Sequence, residues 1–212
     1  MLNLLGFNDA IRYRFDMKES TPIRSGRKRS AASQEKAIAA AFDVLRERGY
    51  AGMSIEAVAE RARVGKTTIY RWWPDKAALA VDAFFAITKA ELAFPDTGSA
   101  LEDFRLQILQ LGQLLRGPSG EAMAAMVAGA KTDPQLASAL GERWLVPRRK
   151  WGVERMERAV ADNECLPDLD IEAALRVLYG PLYAPLLFGA GIPPPERINA
   201  YLAIAFRGIF HD

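Results

Sequence analysis

The chain has very little of two residues on which much protein chemistry depends, with one cysteine and one histidine among its 212 residues. Cys165 cannot form a disulfide within the chain, and a single pair of such residues is too small for a Cys/His zinc site. A histidine base would have to come from His211, beside the C-terminus. We therefore expect a protein of the reducing cytoplasm that is not an enzyme and has no metal or cofactor.

Long apolar runs and strand-like patterns are also scarce. The apolar start, residues 1–7, is too short for an export signal and lacks its basic flank, and Met17 stands after it as an alternative translation start. Residues 177–195 carry no charge, but their glycines and prolines predict a buried, kinked helix rather than a membrane span. No segment predicts a strand, and no fixed repeat is present. With 50% hydrophobic and 25% charged residues, the composition is that of an ordinary globular protein.

Charge is distributed unevenly along the chain, although the formal net charge is only +2. Residues 1–80 carry 15 basic and 9 acidic side chains, and residues 81–212 carry 13 and 17. The first part is therefore positive and the second negative. This asymmetry indicates a front half that faces a polyanion.

From residue 33 onwards, the apolar residues of the chain recur mainly at helical spacing. Apolar residues recur at helical spacing from Ile38 to Leu45, which predicts a first helix over residues 33–48 that ends before Gly49. Ser54 is the predicted N-cap of a second helix ending near Ala62. A third is predicted over residues 66–73, and a fourth, capped by Asp75, runs past residue 90. Further helices are predicted at 101–115, 121–130, 134–145, 148–162, 171–188 and 195–210.

The second and third predicted helices are short and separated by a tight turn, and the third is basic and rich in hydroxyl groups. This is the helix-turn-helix arrangement that places its second helix in the DNA major groove. The segments Met53–Glu60, Arg63–Tyr70 and Trp73–Leu79 resemble the TetR family of transcriptional regulators. The likeness is close over residues 33–85, whereas later residues are similar to the family only in the number and length of their helices.

The resemblance implies an all-α protein with an N-terminal three-helix helix-turn-helix domain and a C-terminal helical bundle for effector binding and dimerisation. We expect a flexible basic leader at 1–30, the DNA-binding domain at 31–78 and the second domain at 79–212. Members of the family are homodimers, and the third helices of the two copies enter successive major grooves of a roughly palindromic operator. The sequence departs from the commoner family pattern at Gly65, Thr67 and Trp72.

The side chains of the third helix suit contact with double-stranded DNA. Lys66 begins the helix, Thr68 and Tyr70 offer hydroxyls to phosphates, and Arg71 can bind guanine or phosphate with two nitrogens. An aromatic residue beside these cations, such as Tyr70 or Trp72, favours phosphate contact. The predicted DNA-binding residues are Ser54, Lys66, Thr67, Thr68, Tyr70, Arg71, Trp72 and Lys76.

Other residues of this half have simpler interpretations. The apolar residues Val58, Ala59, Val64, Ile69 and Trp73 are expected in the core of the three-helix unit. Solvated helix faces are expected for Arg46, Arg48 and Arg61. Two interpretations stay open for the leader cations, which either reach DNA or only aid solubility: Arg24, Arg27, Lys28 and Arg29.

Two patterns that are similar to catalytic or metal-binding motifs lack residues that those motifs need. Gly65-Lys66-Thr67 is similar to the end of a phosphate-binding loop, but that loop needs a glycine where Glu60 stands inside a helix. Carboxylate pairs such as Glu102-Asp103 have no histidine or cysteine companions and are expected at helix caps or on polar faces.

The sequence thus predicts a sequence-specific DNA-binding regulator, a repressor that a small effector releases from its operator. We expect a homodimer formed by the helices at 171–188 and 195–210, and a mainly apolar effector held between residues 101 and 188. The pocket residues expected for it are Phe104, Met123, Met126, Trp144, Trp151, Tyr179, Tyr183 and Phe188. Two rivals remain: a DNA-binding protein without an effector, and an enzyme with a helical accessory domain.

Overall fold

A computed structural model describes residues 25–210, with side chains for residues 31–89 and 92–210. Within this part of the chain the regular elements are helices, and the described residues divide into two compact units between residues 90 and 91. The all-helical prediction is confirmed. The predicted leader lies outside the described residues up to position 24, including Arg24, and the backbone of residues 25–30 already belongs to the first helix.

The N-terminal unit contains helices α1 to α4. Their bounds are Ser25–Gly52 for α1, Ile55–Ala62 for α2, Lys66–Tyr70 for α3 and Lys76–Thr88 for α4. Helix α1 is interrupted at Gly49, whose φ of 65° lies in the left-handed region that glycine adopts without steric cost. The sequence expectation that the first helix stops at this glycine agrees with that geometry.

A single apolar core joins these helices. Helix α1 packs on α2 and α4, and the rings of Phe42 and Phe84 lie 6.3 Å apart. Ile69, from α3, and Trp73, from the turn after it, are fully buried. The expected core residues Val58 and Ala59 are buried as well, and Val64 is half-buried.

Helix α4 differs slightly from its prediction. It ends at Thr88 and continues as a 3-10 turn, Lys89–Leu92, whereas the sequence predicted a helix past residue 90. The predicted domain boundary between residues 78 and 79 falls inside α4, and the two compact units of the structure meet at residues 90 and 91.

The C-terminal unit contains the remaining helices. Helix α5 spans Ala100–Arg116, α6 Pro118–Ala130, α7 Pro134–Leu140, α8 Val146–Ala161, α9 Ile171–Phe188 and α10 Pro195–Phe206. The chain turns sharply from α5 to α6, where a side chain at Gly120 would overlap the backbone of Leu115. An isolated antiparallel bridge between Cys165 and Phe210 ties the loop before α9 to the end of the described chain.

A π-helical turn, Gly141–Leu145, joins α7 to α8 without a break. The sequence predicted two separate helices here because Pro147 stands between them. Proline lacks an N–H and its ring crowds the carbonyl four residues earlier. The wider π turn immediately before Pro147, closed by the Val146 N–H on the Gly141 carbonyl, carries the helix past this obstacle.

Helix α9 corrects another expectation. It is long and apolar enough to cross a membrane by length and composition alone, and only 22% of it is buried within the protein. The sequence predicted a buried helix, but α9 buries one face, on which Leu175, Leu178 and Leu182 lie. Its other face is exposed and, apart from Arg176, mainly apolar, with Val177 and Leu187 about half accessible.

Candidate nucleic-acid interface

Helix α2 begins at a capped end and leads into the turn before α3. The Ser54 hydroxyl accepts a hydrogen bond from the Ala57 N–H at 3.1 Å, which satisfies one of the free donors of the helix start. At the other end, Arg63 adopts a left-handed conformation with φ of 53°, and its N–H bonds back to the carbonyls of Ala59 and Glu60. These two ends fix the position of α2 before the chain enters α3.

Helix α3 is anchored on one side and open on the other. Ile69 is its only buried residue, and the turn that follows carries Trp73 into the core. The Trp73 indole N–H donates to a carboxylate oxygen of Asp82 on α4 at 2.9 Å. The remaining side chains of this short helix are therefore held on a surface whose orientation is set by two buried residues.

Most of the predicted DNA-binding side chains meet on this open side. Lys66, Thr67 and Arg71 are exposed, and Tyr70 is 51% exposed although it is a large aromatic residue. Thr68 is half-buried. The structure thus brings together a cluster of cations, hydroxyls and an aromatic ring, which we call the α3 surface: Lys66, Thr67, Thr68, Tyr70 and Arg71.

The three other predicted DNA-binding residues have partners within the protein. Ser54 caps α2, and Trp72 is half-buried with its ring edge-on to Trp73 at 5.6 Å. Lys76 donates from Nζ to the carbonyls of Tyr50 and Met53 at 3.3 and 3.4 Å, and Nζ lies 4.4 Å from the centre of the Tyr50 ring. These contacts close the end of α1 against the start of α4.

Two exposed ion pairs lie in the same unit, and one of them includes Lys66 of the α3 surface. Lys66 Nζ lies 3.2 Å from Glu56 on α2, and this cation contributes to a lowered pKa of Glu56, after the effect of the backbone amide. Arg61 forms a two-nitrogen contact with Glu47 on α1, at 2.7 and 2.6 Å. The sequence interpretation of Arg61 as a solvated cation missed this pair, because its partner lies on another helix.

The residues predicted for an effector pocket differ in how deeply they are buried. Phe104, Met123, Met126 and Trp144 are buried, whereas Trp151, Tyr179 and Tyr183 are half-buried. Phe104 contacts the rings of Phe94 and Phe210 at 5.0 and 6.4 Å. Phe188 is 84% exposed at the end of α9, so it does not share the buried environment of the other residues.

A buried ion cluster in the C-terminal unit was missed by the sequence interpretation. Asp103 was expected at a helix cap or on a polar helix face; it lies in the first turn of α5 but is fully buried. Its carboxylate accepts from Arg155 Nε at 2.6 Å and from the N–H and hydroxyl of Thr97 at 2.7 and 2.8 Å. Arg155 also lies 3.4 Å from Glu164. This cluster joins α5, α8 and the loop before α9.

The described residues contain no group of three or more His, Cys, Asp or Glu side chains that could hold a metal ion. The lone cysteine is buried, its thiol lies 3.6 Å from the Met156 sulfur, and burial together with the Glu164 carboxylate raises the pKa of Cys165 to about 11. A thiol with such a pKa is a poor nucleophile near neutral pH.

Comparison with known proteins gives matches over both units. Residues 37–83 match the sequence model of the bacterial regulatory proteins of the tetR family. Residues 94–205 match the model of the tetracyclin repressor-like C-terminal domain. Together the two matches include the α3 surface, the helices from α5 to α9, and α10 up to residue 205.

Individual relatives agree with these matches. An uncharacterized HTH-type transcriptional regulator, YdeS of Bacillus subtilis (strain 168), is 30% identical over 186 residues, which are 88% of this chain and 94% of that protein. The DNA-binding transcriptional repressor TetR of Mycobacteroides abscessus is 30% identical over 151 residues, 70% of this chain and 76% of that protein. The crystal structure of the TetR family transcription regulator SCO0332 superimposes with a TM-score of 0.74 at 30% identity, and covers 84% of this chain and 99% of that one.

Proposed function

The chain belongs to the TetR family of DNA-binding transcriptional regulators, and from this premise we propose that it is a repressor that a small effector releases from a two-fold symmetric operator. Members of the family bind DNA operators and dimerise. The observation that carries the finer proposal is the α3 surface, where two cations, three hydroxyls and an exposed aromatic ring lie on a helix anchored by Ile69.

We assign base and phosphate contacts on that surface from side-chain chemistry. Arg71 is exposed at the end of α3, and its guanidinium can bind guanine O6 and N7 together. Lys66 at the start of α3 would exchange its exposed pair with Glu56 for a DNA oxygen, a small loss because surface pairs contribute little. Thr67, Thr68 and Tyr70 offer hydroxyls to the phosphates on either side.

The partners of Ser54, Trp72 and Lys76 divide the predicted contacts into two groups. Their side chains hold α1, α2 and α4 in place, so we propose that they support the α3 surface and that any contact they make with DNA is to phosphate. Residues that only touch phosphate change affinity and its salt dependence but not sequence preference.

We propose that two copies associate through the exposed apolar faces of α9 and α10. Ile204 is 74% and Phe188 84% exposed, and Leu187 and Tyr201 are also accessible. One protomer leaves these side chains in water, and exposed apolar patches of this kind mark association sites. A two-fold axis lets the same face serve both copies, and it matches the symmetry of a palindromic operator.

The effector would be bound within the C-terminal unit. Its buried Met123 and Met126 on α6, with Trp144 in the π turn, supply the adaptable and flat side chains that enclose small apolar molecules. The effector acts by binding better to a conformation in which the two α3 helices no longer fit successive grooves. We infer a cytoplasmic location from the DNA target and the free thiol, and we infer no enzymatic activity.

The test of DNA recognition is selection of bound sequences from random duplex DNA, followed by titration of the selected operator. Lys66→Ala and Arg71→Ala are each expected to weaken binding by about 1 to 3 kcal/mol if they contact base edges. Arg158→Ala, which removes an exposed cation from α8, is the matched control and should bind like the parent. Parental affinity in both α3 variants at equal salt would overturn the assignment of α3.

A screen for ligand-induced thermal stabilisation separates the regulator with an effector from the rival without one. A compound that stabilises the protein and releases the selected operator supports the effector proposal. Failure of the protein to enrich any sequence at low salt would instead favour the enzyme rival.

A further inference from the structure

The C-terminal unit contains one buried cation that the fold leaves without a counterion. Arg148, in the first turn of α8, is only 8% exposed. Its Nη1 atom is buried without a hydrogen-bond partner, and the structure gives its guanidinium no carboxylate partner among the described residues. Arginine stays charged in proteins, so a positive charge remains buried here.

The neighbouring carboxylates are engaged elsewhere. Glu142 in the π turn accepts from Ser138 at 2.7 Å, Glu172 pairs with Arg149, and Glu154 lies 3.7 Å from Lys150. Each of these pairs is exposed on the outside of the unit. None of the three acids is directed at Arg148.

A second buried arginine on the same helix has carboxylate partners within the protein. Arg155 lies two helical turns after Arg148 and is equally buried. It contacts Asp103 at 2.6 Å and Glu164 at 3.4 Å. The fold therefore neutralises one buried arginine of α8 with its own acids and leaves the other unmatched.

The surroundings of Arg148 form a small polar group among buried apolar side chains. The guanidinium carbon lies 4.9 Å from the ring centre of Trp144. Nearby, the Tyr179 hydroxyl on α9 donates to Gln107 on α5 at 2.6 Å. Helices α8 and α9 pack on each other, and Leu175 of α9 lies against Gly152, one turn after Arg148. Burial raises the pKa of Tyr179, and the positive charge of Arg148 acts on the same hydroxyl in the opposite direction.

An aromatic face only partly offsets the loss of water around a cation. A buried charge needs an opposite charge with well-formed hydrogen bonds. Carboxylate matches the guanidinium because its two oxygens accept from two nitrogens at once. A doubly charged phosphate fits less well, because Arg148 is the only cation that the structure places in this group of described residues.

We propose that Arg148 binds the anionic end of the effector, which is a small organic acid with an apolar body and a single carboxylate. The inference rests on the proposed effector function and changes its chemistry, because the sequence predicted a mainly apolar molecule. The carboxylate would meet Arg148 beside Tyr179 and Gln107, while the apolar body lies against the rings and thioethers of the same unit. The π turn next to the site is the kind of helix irregularity found at functional positions.

The test uses matched pairs of compounds on the full-length protein. Phenylacetate, 3-phenylpropionate, octanoate and decanoate are compared with their primary amides by thermal shift and isothermal calorimetry. At least one acid is expected to bind, and at least tenfold more tightly than its amide. Equal binding of each acid and its amide, or no binding by any compound at millimolar concentration, overturns the proposal.

Substitutions locate the charge that is responsible. Arg148→Met keeps the length of the side chain and removes the charge, and it is expected to abolish the preference for the acid. Arg149→Met changes the adjacent, exposed arginine and should keep the preference. A preference retained in Arg148→Met, or lost in Arg149→Met, assigns the carboxylate to another residue and contradicts the proposal.

Folding of the variant carries information of its own. Arg148→Met is expected to melt at or above the parental temperature without ligand, because it removes an unpaired buried charge. If it does not fold, Arg148 has a structural partner and the proposal is wrong. Operator binding of the ligand-free variant should equal that of the parent, so loss of acid binding with intact DNA binding separates this site from the regulatory function itself.

Discussion

The buried pair of Asp103 and Arg155 allows a test of how much burial adds to an ion pair. Asp103→Ala removes a carboxylate that is fully buried and accepts three hydrogen bonds. Removing one member of a buried pair costs about 3 to 5 kcal/mol, because the other charge is left without its partner. Glu164 still lies near Arg155, so we expect the lower value, about 3 kcal/mol.

The chain supplies a matched control at the adjacent position. Glu102 pairs with Arg105 at 2.6 and 2.7 Å, nearly the same distances as in the buried pair, but both side chains are about one-third exposed. An exposed pair three residues apart on a helix contributes a few tenths of a kcal/mol. Glu102→Ala should therefore change stability about one-tenth as much as Asp103→Ala.

The measurement is urea unfolding followed by far-ultraviolet circular dichroism at one fixed protomer concentration, since dimerisation makes stability depend on concentration. A loss of 3 kcal/mol corresponds to a melting temperature about 6 to 12 °C lower for a chain of this size. Asp103→Leu combined with Arg155→Met should recover part of that loss, because apolar side chains of similar volume replace buried pairs well.

The pH dependence gives an independent check. Burial alone would raise the pKa of Asp103, but the Thr97 amide and hydroxyl and the Arg155 guanidinium hold it below its ordinary value of 3.8. The carboxylate therefore contributes its full stabilisation above pH 3.8 and loses it as the pH falls through the folded value. The difference between parent and Asp103→Ala should shrink in acid. If Asp103→Ala loses no more than Glu102→Ala at neutral pH, burial is not the source of the stabilisation.

Four further changes test other parts of the molecule. Arg63→Gly should raise the free energy of unfolding by about 0.5 to 1 kcal/mol. Arg63 holds a left-handed conformation, which costs a non-glycine residue about 1 to 2 kcal/mol. Glycine removes this cost, but its greater freedom in the unfolded chain offsets part of the gain, and a lower melting temperature would contradict this prediction. Lys76→Met should lower the free energy of unfolding by about 1 kcal/mol, because the hydrogen bonds from Lys76 to Tyr50 and Met53 are lost. If the salt dependence of operator binding also becomes shallower by about one unit, Lys76 contacts a phosphate as well. The pKa of Cys165 is raised from 9.0 to about 11, so the unfolded chain loses the thiol proton at a lower pH than the folded protein. The free energy of unfolding should therefore fall between pH 9 and 11, by about 1.4 kcal/mol per pH unit at most. Chemical denaturation of Cys165→Ala should not show this decline. Ile204→Glu should shift the dimer towards monomer in sedimentation experiments and weaken operator binding, whereas Val146→Glu, at a comparably exposed position on α8, should do neither.

The elements predicted well are those whose signals lie within a few residues of the structure they cause. Ser54 caps the helix that begins at the next residue, and Asp75 accepts from the Ala78 N–H at 2.8 Å at the start of α4. Gly49 has the positive φ that interrupts α1. The geometry of the turn before α3 is harder to predict from sequence, because the left-handed residue in it is Arg63 and not Gly65.

The contacts that were missed join residues far apart in the chain. The Arg155 and Asp103 side chains are separated by 52 positions and those of Tyr179 and Gln107 by 72. Helical periodicity tells which face of a helix is apolar, but it does not tell which residue of another helix lies opposite. Asp103 was therefore expected, like Glu102, at a helix cap or on a polar face; both lie in the first turn of α5, but only Glu102 is partly exposed.

The two arginines of α8 show why this limit matters most for ligand chemistry. Arg148 and Arg155 are two turns apart, so their side chains leave nearly the same face of one helix, and the sequence gives no reason to distinguish them. Their difference arises from the opposing helices, because α5 presents Asp103 to Arg155, whereas Arg148 Nη1 is buried without a hydrogen-bond partner. An apolar lining is visible from composition alone, since methionines and aromatic residues are recognised one by one. The charge that a ligand must carry follows instead from which buried cation the fold leaves unmatched, and that is decided only when the helices have packed.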